Sequence, residues 1–167
     1  MDSQTTLQQI LSRLTGKPVK EHLTESSVSF ARDQAVPEAL IETLAECAYA
    51  GPIRLGRLWL SRLAELEQEN AEEENAPCIR HGFLIVGTGL NGDPIAVELA
   101  TGKMAFISHD VLWEEDYDDF EECVVRTPLG FHEFWVQAAD SGDFPVDSYE
   151  AETRWSTDAD EDDDDGD

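Results

Sequence analysis

Along the chain, hydrophobic and polar positions change period several times, and each change marks an element. Leu7, Ile10, Leu11 and Leu14 recur at i, i+3, i+4 and i+7, one face of an amphipathic helix that Gly16-Lys17-Pro18 closes. Residues 17–35 are mostly polar and read as a connector. Pro37 suits the first turn of a second helix, with Leu40, Ile41, Leu44, Ala45 and Ala48 as its apolar face and Gly51-Pro52 as its stop. Leu58-Trp59-Leu60 reads as a short strand, and Ser61 as the N-cap of a helix carrying Leu63 and Leu66. That helix dissolves into Glu67 to Asn75, a stretch too acidic to bury.

The pattern then becomes strand-like. Phe83-Leu84-Ile85-Val86 is a continuous apolar run, Ile95 to Leu99 alternates with period two, and Met104 to Ile107 forms a third run. Cys123-Val124-Val125 offers a further short strand. Pro128 opens a last helix in which Phe131, Phe134, Trp135 and Ala138 share a face; Trp59 and Trp135 are both assigned to the core. Short turns between successive strands favour antiparallel pairing, and helices, then strands, then a helix mean α+β. We therefore expect an α+β fold with a single, mostly antiparallel sheet backed by helices. Its parts are an N-terminal helix over 1–16, a connector over 17–35, an α+β domain over 36–140 and a polar to acidic disordered tail over 141–167.

The turn Val86 to Pro94 contains Gly87-x-Gly89-x-x-Gly92, the spacing of a dinucleotide-binding loop. Such a loop opens a helix whose N-terminus holds the pyrophosphate. Here Asn91-Gly92-Asp93-Pro94 leads into a strand instead. The glycines read as turn residues supplying positive φ, and no cofactor is expected.

Charge adds a functional constraint. Of 167 residues, 37 are acidic and 11 basic, a net −26. The segment Ser156 to Asp167 holds eight acidic residues and no basic one, and removing it leaves −18, so the body is acidic in its own right. Such a chain avoids nucleic acid and anionic membranes and attracts basic partners, although negative charge also serves solubility alone. The three cysteines form no CxxC pair, no apolar run approaches a membrane span, and the N-terminus lacks a secretory pattern; the expectation is a cytoplasmic protein with reduced thiols.

Candidate chemistry is sparse. Ser108-His109-Asp110 has the residue types of a hydrolytic triad, but three consecutive strand residues cannot relay a proton among themselves. His132-Glu133 begins like a zinc-protease helix, with Val136 in place of the second histidine. Cys78-x-x-His81 supplies two soft ligands and would need distant partners to close a zinc site. No metal is expected. The densest feature is Trp113 to Glu122, with seven acidic positions of ten. It reads as a solvated loop, as a protein-binding surface, or as a Ca²⁺ or Mg²⁺ site without regular ligand spacing. The candidate binding residues are Trp113, Glu114, Glu115, Asp116, Tyr117, Asp118 and Asp119. Two readings of Trp113 stand side by side: an aromatic anchor ringed by carboxylates, or a plug at the sheet edge.

The pieces "VPEALIETLAECAYAG", "LWLSRLAELEQEN", "FLIVGTGLNGDPIAVELATGKMAFISHD" and "GFHEFWVQA", in this order, resemble the SUKH superfamily, also called the SMI/KNR family. The resemblance spans about residues 36 to 139, and the Gly92-Asp93 turn between two strands is its most specific part. It implies an α+β fold and a non-catalytic, protein-binding role: immunity to a cognate toxin in many bacterial members, regulation through protein contacts in fungal ones. The sequence-level expectation is a non-enzymatic module neutralising a basic toxin. The alternatives are a regulatory or scaffold module with an endogenous partner, and an enzyme using the carboxylate cluster.

Overall fold

The computed structural model describes residues 6–14, 19–114 and 117–155. Within them, strands β1 (Ile53–Leu55), β2 (Leu58–Leu60), β3 (Phe83–Thr88), β4 (Pro94–Glu98), β5 (Lys103–Ile107) and β6 (Val124–Gly130) form one antiparallel meander in sequence order. The expected α+β class is thus observed. Around the sheet lie helices α1 (Leu7–Ser12), α2 (Glu25–Asp33), α3 (Glu38–Glu46), α4 (Leu66–Ala71), α5 (Ala76–Arg80), α6 (His109–Trp113), α7 (Phe131–Asp140) and α8 (Ser148–Trp155).

The central strands are apolar without a break because both sheet faces are covered. Leu84 and Val86 of β3, Ile95 and Val97 of β4, and Met104 and Phe106 of β5 face the main core, which includes side chains of α1, α3 and α7. The alternate positions Phe83, Ile85, Ala96, Ala105 and Ile107 face a smaller core closed by Cys78, Leu112, Phe120 and Cys123. The α7 face foreseen from Phe131, Phe134, Trp135 and Ala138 is buried throughout.

Several expectations are corrected. The stretch read as a connector contains α2, capped by the Thr24 side chain on Ser27 N. Its fully buried positions are only Ser27 and Ala31, with Phe30 packed part-buried on the core, so no periodic run of large apolar residues signals it. The stretch from Glu67 to Asn75 is not wholly excluded from the interior. Asn70 of α4 is fully buried; its Nδ2 donates to Ile85 O at 3.0 Å and its Oδ1 accepts from Ile85 N at 2.7 Å. This amide takes the place of a strand partner beyond the point where β2 ends, satisfying β3 backbone that would otherwise be orphaned. Ser61 makes no cap; a 3-10 turn at Leu63–Glu65 precedes α4 without a side-chain cap at either start. Pro128 does not open α7 but lies within β6, which is tolerated because β6 is an edge strand. Trp59 is not core: on the three-residue β2 it takes the outward position and is 40% exposed. Within the polar 141–155, α8 forms and buries Ala151. The acidic stretch 156–167, expected to be disordered, and the helix stop at Gly16-Lys17-Pro18 lie outside the described residues.

The glycine loop is a strand–turn–strand, as expected, but its three glycines differ. Only Gly92 has positive φ, +98°. Gly87 lies inside β3 beside a register shift, where a Cβ would stand 2.5 Å from Trp59 O and 2.6 Å from the Trp135 ring. A Cβ at Gly89 would likewise stand 2.6 Å from Val146 O.

Candidate protein-binding surface

The turn after Gly92 places Asp93 between three segments. Its carboxylate is completely buried. Oδ1 accepts from His109 N at 3.0 Å and from the His109 ring at Nδ1; Oδ2 accepts from Ser148 N at 2.8 Å. One side chain therefore anchors the first turns of both α6 and α8 to the β3–β4 turn, satisfying helix N–H groups that have no partner within their helices. Burial alone would raise the Asp93 pKa. The hydrogen bonds from His109 and Ser148 outweigh it and hold the carboxyl below its usual value.

From this anchor the side chains run outward. His109 Nε2 lies 3.2 Å from Asp110 Oδ1, and the His109 ring leans on Trp113 with centroids 4.8 Å apart. Tyr149 of α8 donates from its hydroxyl to Asp110 Oδ2, and that carboxylate raises the phenol pKa. Trp113 is 43% exposed and Tyr149 55%. Two amphipathic aromatics, their helices tied to one buried carboxylate, thus stand at the surface with Asp110 between them. Trp113 does not plug the sheet edge.

The other sequence-derived site residues are only partly gathered here. Glu114 follows Trp113 and is exposed. Glu115 and Asp116 lie outside the described residues. Tyr117 is half-buried and turned to the smaller core, where its ring meets Phe120 edge-on, so it is no free anchor. Asp118 and Asp119 are exposed, but Asp119 also caps the 3-10 turn Phe120–Cys123 by accepting from Glu121 N at 3.1 Å. Sequence reasoning missed Tyr149 and weighed His109 only as a member of a triad, not as a partner of Asp93. Tyr149 sat in a stretch read as disordered, and the partnership of His109 with Asp93 spans sixteen residues of sheet topology.

The discarded chemistries can be placed as well. Ser108, His109 and Asp110 straddle the start of α6 rather than a strand. Cys78 is buried and its thiol is pushed up to about 12 by burial, while His81 stacks on Phe120 and bonds Pro77 O. Among the described residues no group of three or more His, Cys, Asp or Glu is arranged to hold a metal ion, and no helix is long and apolar enough to cross a membrane. No family model matches the chain, and searches of curated proteins and of solved structures find no similar protein.

Proposed function

We propose that this chain is a non-enzymatic protein-binding module of the cytoplasm, an immunity-type protein that neutralises a basic cognate toxin. The observation that carries the reading is Trp113, exposed on a helix anchored through buried Asp93 and set among carboxylates of a chain with net charge −26. Hot spots of interfaces are enriched in tryptophan and tyrosine, and surrounding charge steers encounter rather than holding the complex. The strand–Gly-Asp–strand resemblance to the SUKH superfamily supports the same role. A regulatory or scaffold module with an endogenous partner uses the same surface chemistry; a toxin gene adjacent to the gene for this chain favours immunity over it.

The test begins with affinity capture and mass spectrometry to obtain the partner. Association kinetics then separate steering from anchoring. Reversing Glu114, Glu115, Asp118 and Asp119 to lysine slows association and flattens its salt dependence. Trp113→Ala mainly speeds dissociation, by an amount worth about 2 kcal/mol. Unchanged kinetics in both folded variants remove this surface from the interface.

A further inference from the structure

A second feature lies away from Asp93. Strand β2, the 3-10 turn after it, α4 and the end of β3 enclose an open cleft of about 660 Å³. Its lining includes Trp59, Ser61, Arg62, Glu69, Glu72 and Asn75. Two acceptor atoms in this lining, Glu69 Oε1 and Asn75 Oδ1, are shielded from solvent and have no hydrogen-bond partner. Asn75 Nδ2 donates to Glu69 O at 3.1 Å, which fixes the amide and leaves Oδ1 as its unpaired acceptor. Arg62, the one cation in the lining among the described residues, is already committed to Glu21 at 2.9 Å and Glu65 at 3.3 Å. The exposed indole of Trp59 forms part of the wall.

Unsatisfied buried acceptors are costly, and their natural complement is a group rich in N–H donors. A cationic donor also answers the uncompensated carboxylates. Between the two basic side chains, guanidinium fits better than ammonium: it is planar, carries five donors in a fork, and stacks on an indole face. Ser61, also in the lining, hydrogen-bonds to the Glu69 carboxylate, whose terminal torsion is soft enough to adjust to a bound donor.

We propose that the Trp59–Glu69–Asn75 cleft is a guanidinium-binding site that receives an arginine side chain of a protein partner. The site does not depend on the Trp113 surface, and its test requires neither the partner nor that surface.

The probe is the blocked peptide acetyl-Gly-Arg-Gly-amide, titrated into the full ¹⁵N-labelled chain at near-physiological salt. The expected result is saturable shifts of the Trp59 indole N–H and the Asn75 side-chain amide. The same peptide with citrulline, isosteric but uncharged, gives none. Glu69→Gln removes the carboxylate without emptying the space and weakens the fitted affinity by about tenfold; Trp59→Ala, at an exposed position, weakens it by a similar factor. Four outcomes overturn the proposal: no saturable shift at these two groups, equal shifts with the citrulline peptide, unaltered affinity in Glu69→Gln, or shifts spread along the acidic surface without saturation. Shifts produced at the same groups by maltose but not by the arginine peptide reassign the cleft to carbohydrate.

Discussion

Asp93 and Glu69 are two partly or fully buried carboxylates with opposite fates. Asp93 accepts three hydrogen bonds and is held below its usual pKa. A depressed carboxyl stabilises the fold above its unfolded value, near 3.9, and that contribution is lost as pH falls through the lower folded value. Asp93→Ala leaves His109 N and Ser148 N without their acceptor and should destabilise by about 2–4 kcal/mol, read by urea denaturation at pH 7. An undiminished midpoint would show that neither helix start depends on this side chain. Glu69 is raised to about 7, chiefly by burial; the hydrogen bond from Ser61 opposes the shift and Glu72 adds to it. A raised carboxyl works in the other direction. The stability it permits is present below its unfolded value of 4.5 and is lost as pH rises through about 7. Glu69→Gln should therefore exceed the parent chain in stability at pH 8 by about 1–3 kcal/mol, with the gap closing below about pH 4.5. A gap independent of pH would refute the assignment of that shift to ionisation of Glu69.

The elements most legible in the sequence were those whose own residues made the pattern. The strands β3, β4 and β5 and the helix α7 carry long apolar runs or faces, so burial shows as periodicity. Elements held by caps and side-chain amides were not legible. α2 buries one serine and one alanine, and α4 is fixed to β3 by Asn70, a residue whose polarity argued against burial. The surface was half legible for the same reason: Trp113 announces itself beside its carboxylates, whereas Tyr149 joins it only through α8 and Asp110. The glycine motif was read correctly as strand–turn–strand, but the positive φ expected of its glycines holds only for Gly92, and Gly87 lies within β3. Gly92 needs its positive φ and has empty space around a Cβ, so Gly92→Val costs about 1–3 kcal/mol of backbone strain. At Gly87 the obstacle is contact instead, and even alanine meets Trp59 O and the Trp135 ring. Gly87→Ala should cost about 3 kcal/mol or more, and thermal melts of the two variants separate strain from overpacking. Pairing Gly87→Ala with Trp135→Phe, which shortens the opposing ring, should recover part of the loss; Gly92→Val should gain nothing from that partner.

For the whole molecule, 37 acidic residues against 11 basic ones leave most carboxylates without a counter-charge. Among the described residues the arginines paired with carboxylates are Arg32, Arg62 and Arg126, and such pairs at or near the surface are each worth little. Net repulsion is therefore a cost of the compact state, and salt should relieve it. Two truncations distinguish charge from packing at the C-terminal end. Cutting after Trp155 removes eight negative charges and leaves α8 whole, including the contact of Trp155 with Phe144 at 6.0 Å. Its melting temperature should hold or rise, and its gain on raising NaCl from about 20 to 500 mM should shrink relative to the full chain. Cutting after Asp147 removes those eight charges and Glu150, Glu152 and Arg154 besides, a net difference of one, together with Ala151, Trp155 and the Ser148 N–H that Asp93 accepts. That loss of buried apolar area and of one partner of a buried carboxylate should lower the melting temperature by several degrees, on the order of 2 kcal/mol or more. A clear fall after the first cut would mean that the acidic segment contributes contacts to the body, and an unchanged midpoint after the second would mean that α8 adds nothing to the stability of the fold.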